Sequence, residues 1–186
     1  DPFTVIPCAA DDVPPAVETA RPIGRHLDGC RIGFDLGASD RKVSAVIDGE
    51  PVYSEEVVWT PVVQADPEYH YREVMTALRT AASKMPRLDA VGGSAAGIYI
   101  NDEVRMASLF RGIPAARFDE IRTMFHRIRA ELGVPLVVVN DGDVTALAGS
   151  MSLGDNSVLG VALGSSEAAG YVDADGNITG WLNELA

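Results

Sequence analysis

From Arg31 to Val58 the chain alternates apolar and polar residues in three short runs, the period of a pleated strand with one buried face. Ile32, Phe34 and Leu36 form the first run, Val43, Ala45 and Ile47 the second, and Val52 with the Val57-Val58 pair the third. Asp48-Gly49 separates the second from the third and suits a type I′ turn, in which both central residues take positive φ. The pattern predicts three antiparallel strands in meander order.

Downstream the period changes. Asp66-Pro67 supplies an N-cap and a first-turn proline, and Tyr71, Val74, Met75, Leu78, Ala82 and Met85 recur at helical spacing until Pro86. Leu88 to Val91 reads as a short strand running into "GGSAAG", whose glycines permit tight turns. Phe118, Ile121, Phe125, Ile128 and Leu132 predict a single helix closed by Gly133. "PLVVVNDGD" reads as a buried strand ending at Asn140-Asp141, followed by a short alanine-rich helix over "VTALAGSM". A second meander starts at "SVLGVALG", bends through "SSEAAG", returns at Tyr171 and Val172, and turns at Asp175-Gly176. This order predicts an α/β layer fold with a mixed sheet. The second meander echoes the first, as in a duplicated fold whose second half is only begun.

A chain of 186 residues, 47% hydrophobic and 23% charged, can bury a sizeable core. Its 15 basic and 27 acidic side chains give a net charge of −12, which disfavours nucleic acid and anionic membrane surfaces and points to a small ligand or a protein as partner. Cys8 and Cys30 lack zinc-site spacing and read as reduced thiols. His26, His70 and His126 read as surface or partly buried structural residues, and Arg122, Arg127 and Arg129 as the solvated face of a helix. No apolar run nears the roughly 20 residues of a membrane span, and the opening lacks a secretory signal, so a cytoplasmic location is expected. Residues 1–30 hold five of the eleven prolines without periodicity and read as an extended arm or the tail of a preceding domain. The opening Asp and the abrupt end in "GWLNELA" read as those of an excised piece.

Chemistry could sit in three places. Asp35, Gly37 and Ser39 form D-x-G-x-S at a strand-to-strand bend, where turn N–H groups and a hydroxyl suit phosphate and a carboxylate suits Mg²⁺; the alternative is a turn that satisfies its own backbone. Asn140-Asp141 ends an aliphatic strand, where ligands collect in α/β sheets and where an Asp can take a proton from a hydroxyl. The alternative there is helix capping, with Asp143 the better cap and Asp141 the better base. "LGSSEAAG" offers a second small-residue turn. Its Glu167 opposes phosphate, since like charges about 4 Å apart repel by about 4 kcal/mol at an effective dielectric near 20.

In their order and spacing these segments resemble the first half of the sugar kinase–Hsp70–actin superfamily, and most closely its ROK family of sugar kinases and repressors. "IGFDLGASDRKVSAVIDGEPVYSEEVVWTP" is similar to that family's first phosphate hairpin, "AVGGSAAGIY" to its glycine-rich element, and "GVPLVVVNDGDVTALAGSM" to its Asn-Asp segment. "GVALGSSEAAGYVDADGNITGWLNELA" is similar to the second phosphate segment. The resemblance covers about residues 31–186. It implies an actin-like ATPase (ribonuclease H-like) α/β domain, a mixed five-stranded sheet flanked by helices with its second half truncated. Residues 31–155 would form the N-terminal lobe and 156–186 the incomplete start of the second.

The same resemblance implies ATP and Mg²⁺ as cofactors, with Asp35 near the metal. Gly37, Ser39, Gly164 and Ser165 would lie at nucleotide phosphate, Asn140 on a hexose, and Asp141 would be the base that activates a sugar hydroxyl. Partners would be a sugar and a nucleotide, with no nucleic acid and no membrane, and with a homodimer allowed. The chain departs from the family at Ser39, where Thr is usual, and at Asp40, where a basic residue often follows. Gly164-Ser165-Ser166-Glu167-Ala168 stands where the family has Gly-Thr-Gly-x-Gly. The readings carried forward are an ATP-dependent sugar kinase-like protein, a non-catalytic sugar-binding regulator, and an actin-like structural module. A repressor would need an upstream helix-turn-helix, and residues 1–30 show no such helix pair.

Overall fold

The computed structural model describes residues 4–15, 20–164, 166–180 and 182. The three alternating runs form β1 (Cys30–Leu36), β2 (Asp40–Ile47) and β3 (Glu50–Val58), paired antiparallel. Asp48 and Gly49 turn the chain at positive φ, 49° and 87°. A 16-residue helix, α1 (Pro67–Ala82), follows; Asp66 caps it by accepting the Glu68 N–H at 3.2 Å. β4 (Ala90–Ala95) and β7 (Leu136–Asn140) then add parallel to β1, giving a five-stranded mixed sheet of order β3-β2-β1-β4-β7. Between them lie a small hairpin, β5 (Ile98–Ile100) and β6 (Glu103–Met106), and two short helices, α2 (Phe118–Arg122) and α3 (Met124–Leu132). The chain continues through α4 (Asp141–Leu153) into a second hairpin, β8 (Val158–Leu163) and β9 (Glu167–Val172).

One face of the sheet makes the core. Cys30, Ile32, Phe34 and Leu36 of β1 point inward with Val43, Val91 and Val138, and meet Val74, Leu78, Phe125 and Ile128. Phe125, Ile128 and Leu78 are fully buried, each worth about 1.5–3 kcal/mol relative to exposure. Phe34 stacks on Phe125 with centroids 6.1 Å apart. Its ring fills the space that a Cβ on Gly93 would need, so "GGS" lies inside β4 rather than in the turn expected from its glycines. β7 ends the sheet, and its exposed edge is answered by the β5–β6 turn, where Asp102 accepts the Val138 N–H at 3.0 Å.

The sequence differs from its structure in four further places. The helix expected over 118–132 is interrupted at Thr123, whose backbone at φ −101° and ψ 8° leaves the helical region. β9 begins at Glu167, four residues before Tyr171, because Ala168 to Gly170 pack on α4. His70 is fully buried, its Nε2 3.1 Å from the Pro61 carbonyl and its ring edge-on to Phe110; burial lowers its pKa. Residues 21–25 run against the second hairpin: Arg21 and Ile178 exchange backbone bonds at 2.8 and 3.2 Å, and Arg25 reaches Ser150 and Asn156 at 2.5 and 2.7 Å. Cys8 is exposed and Cys30 buried, and both are free. Of the three helix arginines Arg127 and Arg129 are exposed and Arg122 is half-buried, and each is paired, Arg122 with Asp119, Arg127 with Glu68 and Arg129 with Asp102.

Candidate functional site

β1, β4 and β7 run parallel, so their carboxyl ends share one edge of the sheet, the edge at which α/β folds collect ligands. Asp35, Ser94 and Val139 make one row across the three strands, and Leu36, Ala95 and Asn140 the next. Asp141 follows at once as the first residue of α4. The fold therefore brings Asp35 and Asp141 to the same edge, near enough for the charge of Asp35 to act on Asp141.

Asp141 is half-buried. Burial pushes its carboxyl above the ordinary value; the Gly142 N–H, which donates to Oδ1 at 3.1 Å, pulls it down, and Asp35 adds to the rise. Asn140 is 1% exposed and its amide is used on both sides: Oδ1 accepts the Gly142 N–H at 2.8 Å and Nδ2 donates to the Gly97 carbonyl at 2.8 Å. Asn140 is thus the N-cap of α4, which corrects the expectation that Asp143 would be. The helix begins three residues earlier than its alanine-rich pattern shows, and Asp143 falls inside the first turn. There it is 5% exposed with Oδ1 unpartnered, and burial pushes its pKa to about 7 against the opposing charge of Arg21.

The β1–β2 turn is closed by its own backbone. Gly37 donates its N–H to the Asp40 carbonyl at 2.9 Å, so that N–H is spent on the turn. A Cβ at Gly37 would come within 3.1 Å of the same carbonyl, which explains the glycine by close approach. Trp59 pins the turn from outside, its indole N–H donating to the Gly37 carbonyl at 2.8 Å and its backbone N–H to the Ser39 carbonyl at 3.1 Å. Ser39 Oγ donates to Asp40 Oδ2 at 3.0 Å. The negative charge of Asp40, unanswered in the sequence reading, is met by Lys42, whose Nζ binds Asp40 Oδ1 and lies 4.0 Å from Asp35 Oδ2. Sequence reasoning missed both residues. For Lys42 the signal was period 2, since a strand residue two beyond Asp40 shares its face; Trp59 gave no comparable signal.

The second turn reaches the same end of the molecule. β8 runs antiparallel to α4, with Val158 against Gly149 and Gly160 against Ala146, so the turn after Leu163 passes the N-terminus of the helix. Gly142, Gly160 and Gly170 allow backbone to touch backbone here: a Cβ on Gly142 would lie 2.5 Å from Ala169, and one on Gly170 2.5 Å from the Gly142 carbonyl. Gly164 donates its N–H to the Ser166 carbonyl at 3.0 Å, again a turn closing on itself. Glu167 is exposed. Ser165 lies outside the described residues.

A mixed sheet with a hairpin turn and an Asp-ended strand at one edge, leading through a helix into a second hairpin, is the arrangement of the actin-like ATPase fold. Solved structures of ROK proteins share this fold. The inorganic polyphosphate/ATP-glucomannokinase of Arthrobacter sp. strain KM is 24% identical, with a TM-score of 0.60 over 86% of this chain and 62% of that one. The ROK hexokinase of Thermus thermophilus is 17% identical, with a TM-score of 0.61 over 80% and 47%. A ROK family transcriptional regulator, a homolog of the E. coli Mlc protein, is 17% identical with a TM-score of 0.64 over 86% and 40%. The chain spans about half the length of these structures. No protein-family model and no curated protein matches it. Among the described residues no helix is long and apolar enough to cross a membrane.

Proposed function

We propose that this chain is the amino-terminal part of a ROK-type, ATP-dependent hexose kinase in which Asp141 takes the proton of a sugar hydroxyl as that oxygen attacks the γ-phosphoryl group. The observation that carries the reading is Asp141 itself, a half-buried carboxylate at the carboxyl end of β7 whose affinity for a proton is raised by burial and by Asp35. Asn140 fixes the first turn behind it by capping Gly142, and by holding Gly97 it ties the β4–β5 loop to the same point. Asn140 would lie on the sugar side of this turn, with its amide bonded on both sides within the protein. Ser39 would meet phosphate at the first turn and Gly164 and Ser165 at the second. Asp35, 40% exposed, fits a role as the protein's carboxylate on Mg²⁺. Among the described residues no cluster of three acidic, His or Cys side chains could hold a metal alone, so substrate phosphates and water would complete the shell. Bound there, Mg²⁺ would neutralise charge on the transferring phosphoryl oxygens.

A second reading, a non-catalytic sugar-binding regulator, is favoured by Glu167, an exposed carboxylate at the turn where nucleotide phosphate would approach. Sugar-dependent release of ADP from ATP and Mg²⁺, measured with the intact protein over a panel of hexoses, separates the two. Turnover with at least one hexose is expected. Hexose binding without turnover would replace the kinase reading with the second, and neither binding nor turnover would remove both.

A further inference from the structure

β2 sends Asp40 and Lys42 to the same side of the sheet, two residues apart, and pairs Lys42 in register with Asp35 of β1. The ammonium consequently stands between two carboxylates, bonded to Asp40 Oδ1 and 4.0 Å from Asp35 Oδ2. Asp40 is bound from its other oxygen by the Ser39 hydroxyl at 3.0 Å. Those two donors, Lys42 first, hold the Asp40 carboxyl below its ordinary pKa, and Asp40 in turn holds Lys42 charged. The side chain of Lys42 is 47% exposed and that of Asp40 23% exposed. An anion arriving from solvent can therefore reach the ammonium without any movement of the backbone.

We propose that Lys42 is the phosphate-binding cation of this site and that Asp40 is its resident competitor, occupying the ammonium and the Ser39 hydroxyl until a phosphoryl group displaces it. The inference rests on the nucleotide-site reading above and adds a residue and a selectivity to it. Ser39 Oγ and Lys42 Nζ are both spent on one carboxylate, while the Trp59 indole N–H is held by the Gly37 carbonyl. A phosphoryl group offers several acceptor oxygens and more than one negative charge, so it outcompetes a carboxylate for a compact ammonium, which binds phosphate as a point charge. A singly charged anion gains no such advantage. The turn thus selects di- and polyphosphate chains over monoanions, and Asp40 sets the threshold.

Binding of ATP and of inorganic tripolyphosphate to the intact protein, measured by calorimetry in the presence of Mg²⁺, tests this. Lys42→Met should weaken both ligands at least tenfold, and Lys42→Arg should restore most of the loss. Asp40→Asn should tighten both severalfold, and only while Lys42 is present, so that the double variant binds no better than Lys42→Met alone. Circular dichroism and unfolding temperature establish that each variant is folded. Wild-type binding with an Asp40→Asn gain that persists without Lys42, or with no gain at all, would overturn the inference while leaving the nucleotide site standing. Absence of binding in the folded wild type and in Asp40→Asn at millimolar ligand would overturn both.

Discussion

Replacing Asp143 by Asn should make the protein more stable, by an amount that depends on pH. Asp143 is 5% exposed, its Oδ1 has no partner, and its pKa rises from 3.8 to about 7 through burial, with Asp141 adding to the rise and Arg21 opposing it. Between those two values the unfolded chain has released the proton and the folded protein still holds it. Stability then falls as pH rises, by about 1.4 kcal/mol per pH unit, and levels off above the folded value. Asn keeps the shape of the protonated acid and has nothing to ionise. Near the isoelectric point of about 4.5 the protein would associate, so the useful window starts at pH 5.5. From pH 5.5 to 7 the stability gap between Asp143→Asn and wild type should widen by about 2 kcal/mol, or about 4–8 °C in unfolding temperature, and then hold constant to pH 8.5. Thermal unfolding followed by circular dichroism across that range measures it. A gap that does not change with pH, or a variant less stable than wild type at pH 8.5, would refute the burial argument and indicate a compensating pair with Arg21.

Gly160→Ala would place a Cβ 2.7 Å from the Thr145 carbonyl carbon and closer still to Ala146. Backbone cannot yield there as a side-chain tip could, so about 2–3 kcal/mol should be lost, visible as a lower urea midpoint. Asn140→Ala removes a helix cap and the tie to Gly97, a loss of about 2 kcal/mol; in the intact protein turnover should fall as well, since the first turn carrying Asp141 is no longer held. Trp59→Phe deletes the donor to the Gly37 carbonyl and should cost about 1 kcal/mol, with faster amide exchange at Gly37 as the local readout.

The strands were readable because period 2 with one buried face leaves little choice of structure, and Asp48-Gly49 and Asp66-Pro67 mark a turn and a helix start by local chemistry alone. What escaped the sequence depended on partners distant along the chain. The strand at Gly92-Gly93 follows from the ring of Phe34, 59 positions earlier, which a run of glycines cannot announce. The break at Thr123 is one residue leaving helical backbone angles, and the apolar period from Phe118 to Leu132 runs through it without a mark. At the site, Asp35, Asn140 and Asp141 were legible from their places at strand ends, and the sheet register puts those ends on one edge. Lys42 was legible only through its period-2 spacing from Asp40, which was missed, and the burial of Asp143 was not legible, because a helix start must be fixed to the residue before it can be seen.

Asp141 is proposed above as the base of a sugar-phosphorylating site. The most direct measurement is turnover of Asp141→Asn in the intact protein beside its affinity for the same hexose. Turnover should fall by about a hundredfold or more while sugar affinity stays close to that of the wild type. A variant that phosphorylates hexose at the wild-type rate would show that Asp141 is not the base.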